Sequence, residues 1–132
     1  MKNLVTKMFF IVGVIFTTVM YAQEPNRGGI MRIGLVDQCS EKGVGEKYIS
    51  FVSQGGFEPV VLKYTTDKAK ITEMVSNCDS IILCGGEDIE PARYKEESSP
   101  KLGKVNKLRD AWEYAVLDEA VKMRKPILGI CR

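Results

Sequence analysis

The chain has 132 residues, 19 Lys and Arg against 17 Asp and Glu, no histidine, and 45% hydrophobic residues. Setting aside Lys2 and Lys7 leaves 17 basic against 17 acidic residues, which argues against a nucleic-acid or anionic-membrane surface that would need a basic excess. Cys39, Cys78, Cys84 and Cys131 are irregularly spaced with no CxxC pair, so neither a disulfide framework nor a zinc site is suggested.

Residues 1–22 read as a signal peptide. Lys2 and Lys7 form its positive start, and Met8 to Met20 is almost wholly apolar. That run is short for a membrane span of ~20 residues, and Ala22 is a suitable last residue before cleavage. The expectation is an exported protein, periplasmic or secreted, with no stable membrane insertion once the leader is removed. Residues 23–29 read as a linker and residues 30–132 as one domain, since the remaining length suffices for one small core and not two.

Within the domain, strand and helix patterns alternate. Ile30 to Val36 is an apolar run ending at Asp37, the first strand. Val44, Tyr48, Phe51 and Val52 recur at helical spacing, and Gly55-Gly56 stops that helix. Pro59 to Leu62 reads as the second strand. Asp67 caps or opens the next helix, with Ile71, Met74, Val75 and Cys78 on one face. Ser80 to Leu83 is the third strand and runs into Gly85-Gly86, with a polar loop from Glu87 to about Lys104 after it. Val105, Leu108, Trp112, Ala115, Val116, Glu119, Ala120 and Met123 then trace the longest helical repeat. Lys122, Arg124 and Lys125 place positive charge at its C-terminal end, where the helix dipole favours it. Pro126 ends this helix, and Ile127 and Leu128 begin a fourth, buried strand. The order predicts an α/β fold with a parallel sheet wound by crossovers, its sites at the C-terminal ends of the strands. Cys78, Cys84 and Trp112 read as core residues.

Two strand ends carry chemistry. Gly129-Ile130-Cys131-Arg132 has the form of a strand-to-helix elbow that lifts a nucleophile above a sheet. The free N–H groups of a following helix favour a thiolate there, and the turn exposes the sulfur. Gly85-Gly86, one crossover earlier, lets backbone N–H groups face a developing oxyanion with no side chain in the way. A tight turn and a buried structural cysteine are the plainer alternatives for each motif alone, and their pairing favours catalysis.

Three motifs in register resemble the gamma-glutamyl-gamma-aminobutyrate hydrolases, within the class I glutamine amidotransferase-like superfamily. Leu83 to Tyr94, with Gly85-Gly86, Asp88, Pro91 and Tyr94, resembles that family's loop after the third strand. Arg109-Asp110 with Glu113 resembles its Arg-Asp-x-x-Glu pattern, and Lys125 to Arg132 its nucleophile strand. The resemblance covers about residues 31–132. It implies a three-layer sandwich with a mostly parallel, flavodoxin-like sheet, of which this is the N-terminal part. It also implies hydrolysis of γ-glutamyl amide or peptide bonds through a thioester on Cys131, with the backbone N–H groups of Gly86 and Arg132 holding the oxyanion. Gly85, Arg93 and Tyr94 would border the substrate, and no metal or organic cofactor is implied.

Arg109 and Glu113 stand at i,i+4, and as a solvated pair they would contribute only ~0.2–0.5 kcal/mol. The resemblance implies instead that this group braces the glycine loop or the substrate's charged end. Cys84 stands where the family more often has proline. The family's general base is a histidine oriented by an acid, and the 132 residues contain no histidine, so the chain by itself is expected to be inactive. Its last strand would also leave an unpaired apolar edge, an aggregation hazard. The competing readings are a truncated non-catalytic remnant or small-molecule-binding α/β protein, a glutamine amidotransferase domain, and a relative whose elbow cysteine senses oxidants or deglycates.

Overall fold

A computed structural model describes residues 29–40 and 43–131. The leader over residues 1–22, the linker up to residue 28, and Arg132 lie outside the described residues. The elements, in order, are β1 (Arg32–Val36), α1 (Glu46–Gln54), β2 (Glu58–Leu62), α2 (Lys68–Ser76), β3 (Ser80–Leu83), a 3-10 turn (Pro91–Tyr94), α3 (Lys107–Lys122) and β4 (Ile127–Gly129). All four strands are parallel, in the order β2-β1-β3-β4. This is the α/β fold with a parallel, crossover-wound sheet that the sequence predicts. The winding direction reverses between β1 and β3, the place where sheets of this kind set their sites, beyond the C-terminal ends of the strands.

Side-chain alternation along the strands builds two cores. Val36, Leu62 and Ile81 face Ile71 and Val75 of α2 and Trp112, Val116 and Ala120 of α3. Ile33, Leu35 and Ile82 point the other way, with Val52 of α1, Val44 and Cys84. Leu35, Val36, Val75 and Val116 are wholly buried. Cys78 and Cys84 are core residues as expected, and so is Trp112, against whose indole the Tyr64 ring stands edge-on at 5.9 Å.

Local chemistry explains the helix starts. The Asp67 carboxylate accepts from the Ala69 and Lys70 N–H groups at 2.9 and 3.4 Å, two of the donors a helix N-terminus leaves unpaired. At α3 the cap is Asn106, whose side-chain oxygen accepts from the Arg109 N–H at 3.2 Å. The helix therefore begins at Lys107, and Val105 makes a lone bridge to Asp88 instead of the first helical turn. That bridge, the Asp88 N–H to Lys104 carbonyl bond of 2.9 Å and the Gly103 N–H to Asp88 carboxylate bond of 2.7 Å close the neck of the long loop.

Two sequence expectations are corrected. The apolar repeat of α3 placed Leu108 inward, but Leu108 is 51% exposed while Arg109, Asp110 and Glu113 are buried in that turn. Hydrophobicity alone misorients this turn because the charges find partners inside. The fourth strand was read as buried with an unpaired outer edge; among the described residues the unpaired edge is seen, but Ile127 and Leu128 are 37% and 50% exposed. β4 pairs with β3 at the sheet's edge, and α1 packs beside β1 and β2, leaving β4 without a helix on that face. Among the described residues no helix is long and apolar enough to cross a membrane.

Burial predicts unequal tolerance to truncation at two leucines. Leu35→Ala should cost about 2–5 kcal/mol in urea denaturation through its cavity. Leu108→Ala, despite its place in the apolar repeat, should stay within about 0.5 kcal/mol of the parent. Equal losses would contradict this orientation of α3.

Candidate active site

The ladder between β3 and β4 runs one step beyond the strands, through the Ile130 N–H to Leu83 carbonyl bond of 3.0 Å. This carries Cys131 directly onto the loop that leaves β3. A Cβ built on Gly85 would lie 3.0 Å from the Cys131 Cβ and 3.0 Å from the Ile130 carbonyl oxygen. Glycine is needed at 85 because the two loops touch there. Cys131 has a φ of 62°, a left-handed conformation that costs a non-glycine residue about 1–3 kcal/mol and is typical of a strained nucleophile turn. Its side chain is exposed, whereas Cys78 and Cys84 are about 1% accessible. Burial, with the Glu113 carboxylate adding to it, pushes the Cys84 thiol up to about 11. Burial likewise raises the Cys78 thiol.

Gly86 has a φ of 155°, and a side chain there would collide with the Arg109 guanidinium. Arg109 is wholly buried, and its donors hold the loop from beneath. Its Nη2 donates to the Cys84 carbonyl at 2.5 Å and to the Gly85 carbonyl at 3.2 Å. Nη1 meets Glu87 at 2.6 Å and Nε meets Glu113 at 2.7 Å. Burial disfavours the guanidinium charge, and the bonds to Glu113 and Glu87 outweigh it, leaving its pKa above the ordinary arginine value. Of the two sequence readings of this group, the brace on the glycine loop is the one observed, and a solvated pair is not.

Asp110, also buried, accepts from the Glu90 N–H at 3.0 Å and so fastens the loop that carries Pro91 to Tyr94. Arg93 reaches toward α3, with its Nε 3.8 Å from the Asp110 carboxylate and its guanidinium 5.0 Å over the Tyr114 ring. Tyr94 is 52% exposed. Among the described residues no hydrogen bond or ion pair joins Arg93 or Tyr94 to Cys131 or the Gly85-Gly86 turn. The structure thus brings Cys131, Gly85 and Gly86 together, sets Arg93 and Tyr94 on the adjoining 3-10 turn, and leaves Arg132 outside its description.

Two residues at this site were not singled out from the sequence. The Gln38 amide donates to the Gly85 carbonyl at 2.5 Å, and the Tyr48 hydroxyl accepts from the Gly85 N–H at 3.1 Å. Tyr48 was read only as part of an apolar helical stripe. The available signal was its phenol, which needs a polar partner when its ring packs inward.

The family model described as Peptidase C26 matches residues 31–132. The chain belongs to the Peptidase C26 family. Among curated proteins it is 38% identical over 85 residues to "Protein NtpR" of Enterococcus hirae, covering 64% of this chain and 35% of that protein. A Schizosaccharomyces pombe protein named "Putative glutamine amidotransferase" is 38% identical over 88 residues, covering 66% of this chain and 34% of the relative. A Mycobacterium tuberculosis protein of the same printed description is 32% identical over 78 residues, covering 59% and 25%. The matched stretch therefore spans about a third or less of each of these relatives.

Iodoacetamide at mildly alkaline pH should label Cys131 well before Cys78 or Cys84, as peptide mapping would show. Labelling of Cys84 at a comparable rate would contradict its burial. The Glu87 carboxyl is held below its usual range by its own backbone N–H and then by Arg109. A depressed carboxyl contributes stability above its unfolded value, near pH 4, and loses it as the pH falls through the folded value. Glu87→Gln should therefore be less stable than the parent at neutral pH, with the gap closing in acid. A pH series of thermal melts with a constant gap would refute the pairing.

Proposed function

We propose that these residues form the nucleophile half of an exported hydrolase of γ-glutamyl amides or peptides, of the gamma-glutamyl-gamma-aminobutyrate hydrolase type. The observation that carries the reading is the strained Cys131 turn seated against Gly85, beside the Gly86 N–H. Among the described residues no hydrogen bond uses that N–H. In this reading the Cys131 thiolate attacks the γ-carbonyl carbon of the substrate. The N–H groups of Gly86 and Arg132 hold the resulting oxyanion. The amine leaves with a proton, a γ-glutamyl thioester remains on Cys131, and water releases glutamate and restores the thiol. Gly85, Arg93 and Tyr94 border the substrate. The base that moves these protons is not supplied by a histidine of these 132 residues, so the chain on its own is expected to be inactive.

The printed names of the yeast and mycobacterial relatives favour a second reading, glutamine hydrolysis with transfer of ammonia to a synthase. An exported address, read from residues 1–22, favours hydrolysis, because nascent ammonia is handed on beside biosynthesis.

The test is turnover of γ-glutamyl-4-nitroanilide by the complete natural polypeptide carrying these residues, with hydroxylamine added to trap a thioester as γ-glutamyl hydroxamate. Cys131→Ala should lower turnover on the order of 10⁴-fold or more while leaving the thermal melt unchanged. Undiminished turnover in the variant would remove Cys131 as nucleophile. Activity on glutamine alone, raised by a synthase partner, would favour the amidotransferase reading.

A further inference from the structure

We propose that Tyr48 and Gln38 are positioning residues that orient the Gly85–Gly86 peptide for the chemistry at Cys131, an inference that rests on the hydrolase reading. Both polar groups of the Gly85 backbone are engaged by side chains from separate parts of the fold. Its N–H goes to Tyr48 of α1, and its carbonyl accepts from Gln38, two residues beyond β1, and from Arg109 of α3.

The consequence follows from peptide geometry. The Gly85 carbonyl and the Gly86 N–H belong to one planar trans unit and point in opposite directions. Fixing the carbonyl toward Gln38 and Arg109 therefore aims the Gly86 N–H away from them. Tyr48 meanwhile occupies the Gly85 N–H, so the turn presents the Gly86 donor alone. The Tyr48 hydroxyl is 3.4 Å from the point where a Gly85 Cβ would lie, and the same point is 3.0 Å from the Cys131 Cβ. The clamp and the nucleophile are thus immediate neighbours.

Arg109 is buried and bound to four other groups, so its removal would disturb the fold at large. Tyr48 and Gln38 lie nearer the surface and touch the turn through single polar groups. They are the places where loop orientation can be changed with the fold intact.

The experiment uses Tyr48→Phe and Gln38→Ala, with 5-oxopentanoate as probe. This aldehyde has the γ-glutamyl carbon chain. The Cys131 sulfur adds to its carbonyl carbon, and the thiol proton ends on the oxygen that occupies the oxyanion position. Iodoacetamide serves as the control, since it alkylates the same sulfur without forming an oxyanion. Amide exchange at Gly85, read by NMR, supplies a measure that needs no chemistry.

In the parent, the aldehyde should modify Cys131 reversibly and the Gly85 amide should be protected. Each variant should bind the aldehyde about tenfold or more weakly, with iodoacetamide alkylation changed by less than about twofold. Tyr48→Phe should also speed Gly85 exchange by about tenfold or more. Equal effects on both reagents, or unchanged aldehyde binding in both variants, would overturn the proposal. If the parent takes iodoacetamide at Cys131 but not the aldehyde, the γ-glutamyl reading fails. The clamp then stands or falls on Gly85 exchange, and an unchanged rate in Tyr48→Phe overturns it.

Discussion

Arg109 is the constraint around which the C-terminal edge of this sheet is organised. A guanidinium taken out of water must have its donors met, or burial costs several kcal/mol. Here two carboxylates and two backbone carbonyls meet them, and those carbonyls belong to the turn after β3. The requirement to satisfy one buried cation thereby fixes the path of Cys84 and Gly85. It also excludes any side chain at Gly86, since the guanidinium fills that space.

The rest of the site follows from what that turn touches. With β3's exit held from below by α3, Gly85 presents its outer side to the loop leaving β4, and only a glycine admits Cys131 there. On the β1 side, the Trp112 indole donates to the Asp37 carbonyl at 3.0 Å, tying the end of β1 to the same helix. Gln38 then reaches the Gly85 carbonyl from the neighbouring residue. A single helix thus anchors the exits of β1 and β3, the two strands between which the sheet reverses its winding. The Cys131 turn follows β4 and receives its position from these inner elements.

The glycine turn and the cysteine turn could be read from residue type alone, because each is demanded by local chemistry. Gly-Gly at a strand end signals backbone donors, and Gly-x-Cys after an apolar run signals an elbow. The contributions of Tyr48, Gln38 and Glu87 could not be read so. Each is an ordinary residue in its own segment, and each acquires its role from a partner separated by 22 to 47 positions along the chain. The inward turn of Arg109 and Asp110 was hidden for a related reason. A hydrophobic repeat counts charge as a penalty, and it cannot register partners supplied by another strand.

The sequence by itself determined the alternation of strands and helices, the parallel winding, the cap at Asp67, and the glycine and cysteine turns at two strand ends. These depend on periodicity and on conformational preferences of single residues, which act over a few positions. Only the tertiary structure decided that Leu108 turns outward, that the Arg109–Glu113 pair braces the glycine turn, and that Gly85 is clamped on both its polar groups. Those features are set by which distant groups meet across the sheet, and buried polar atoms take whichever partners the packing brings within bonding distance.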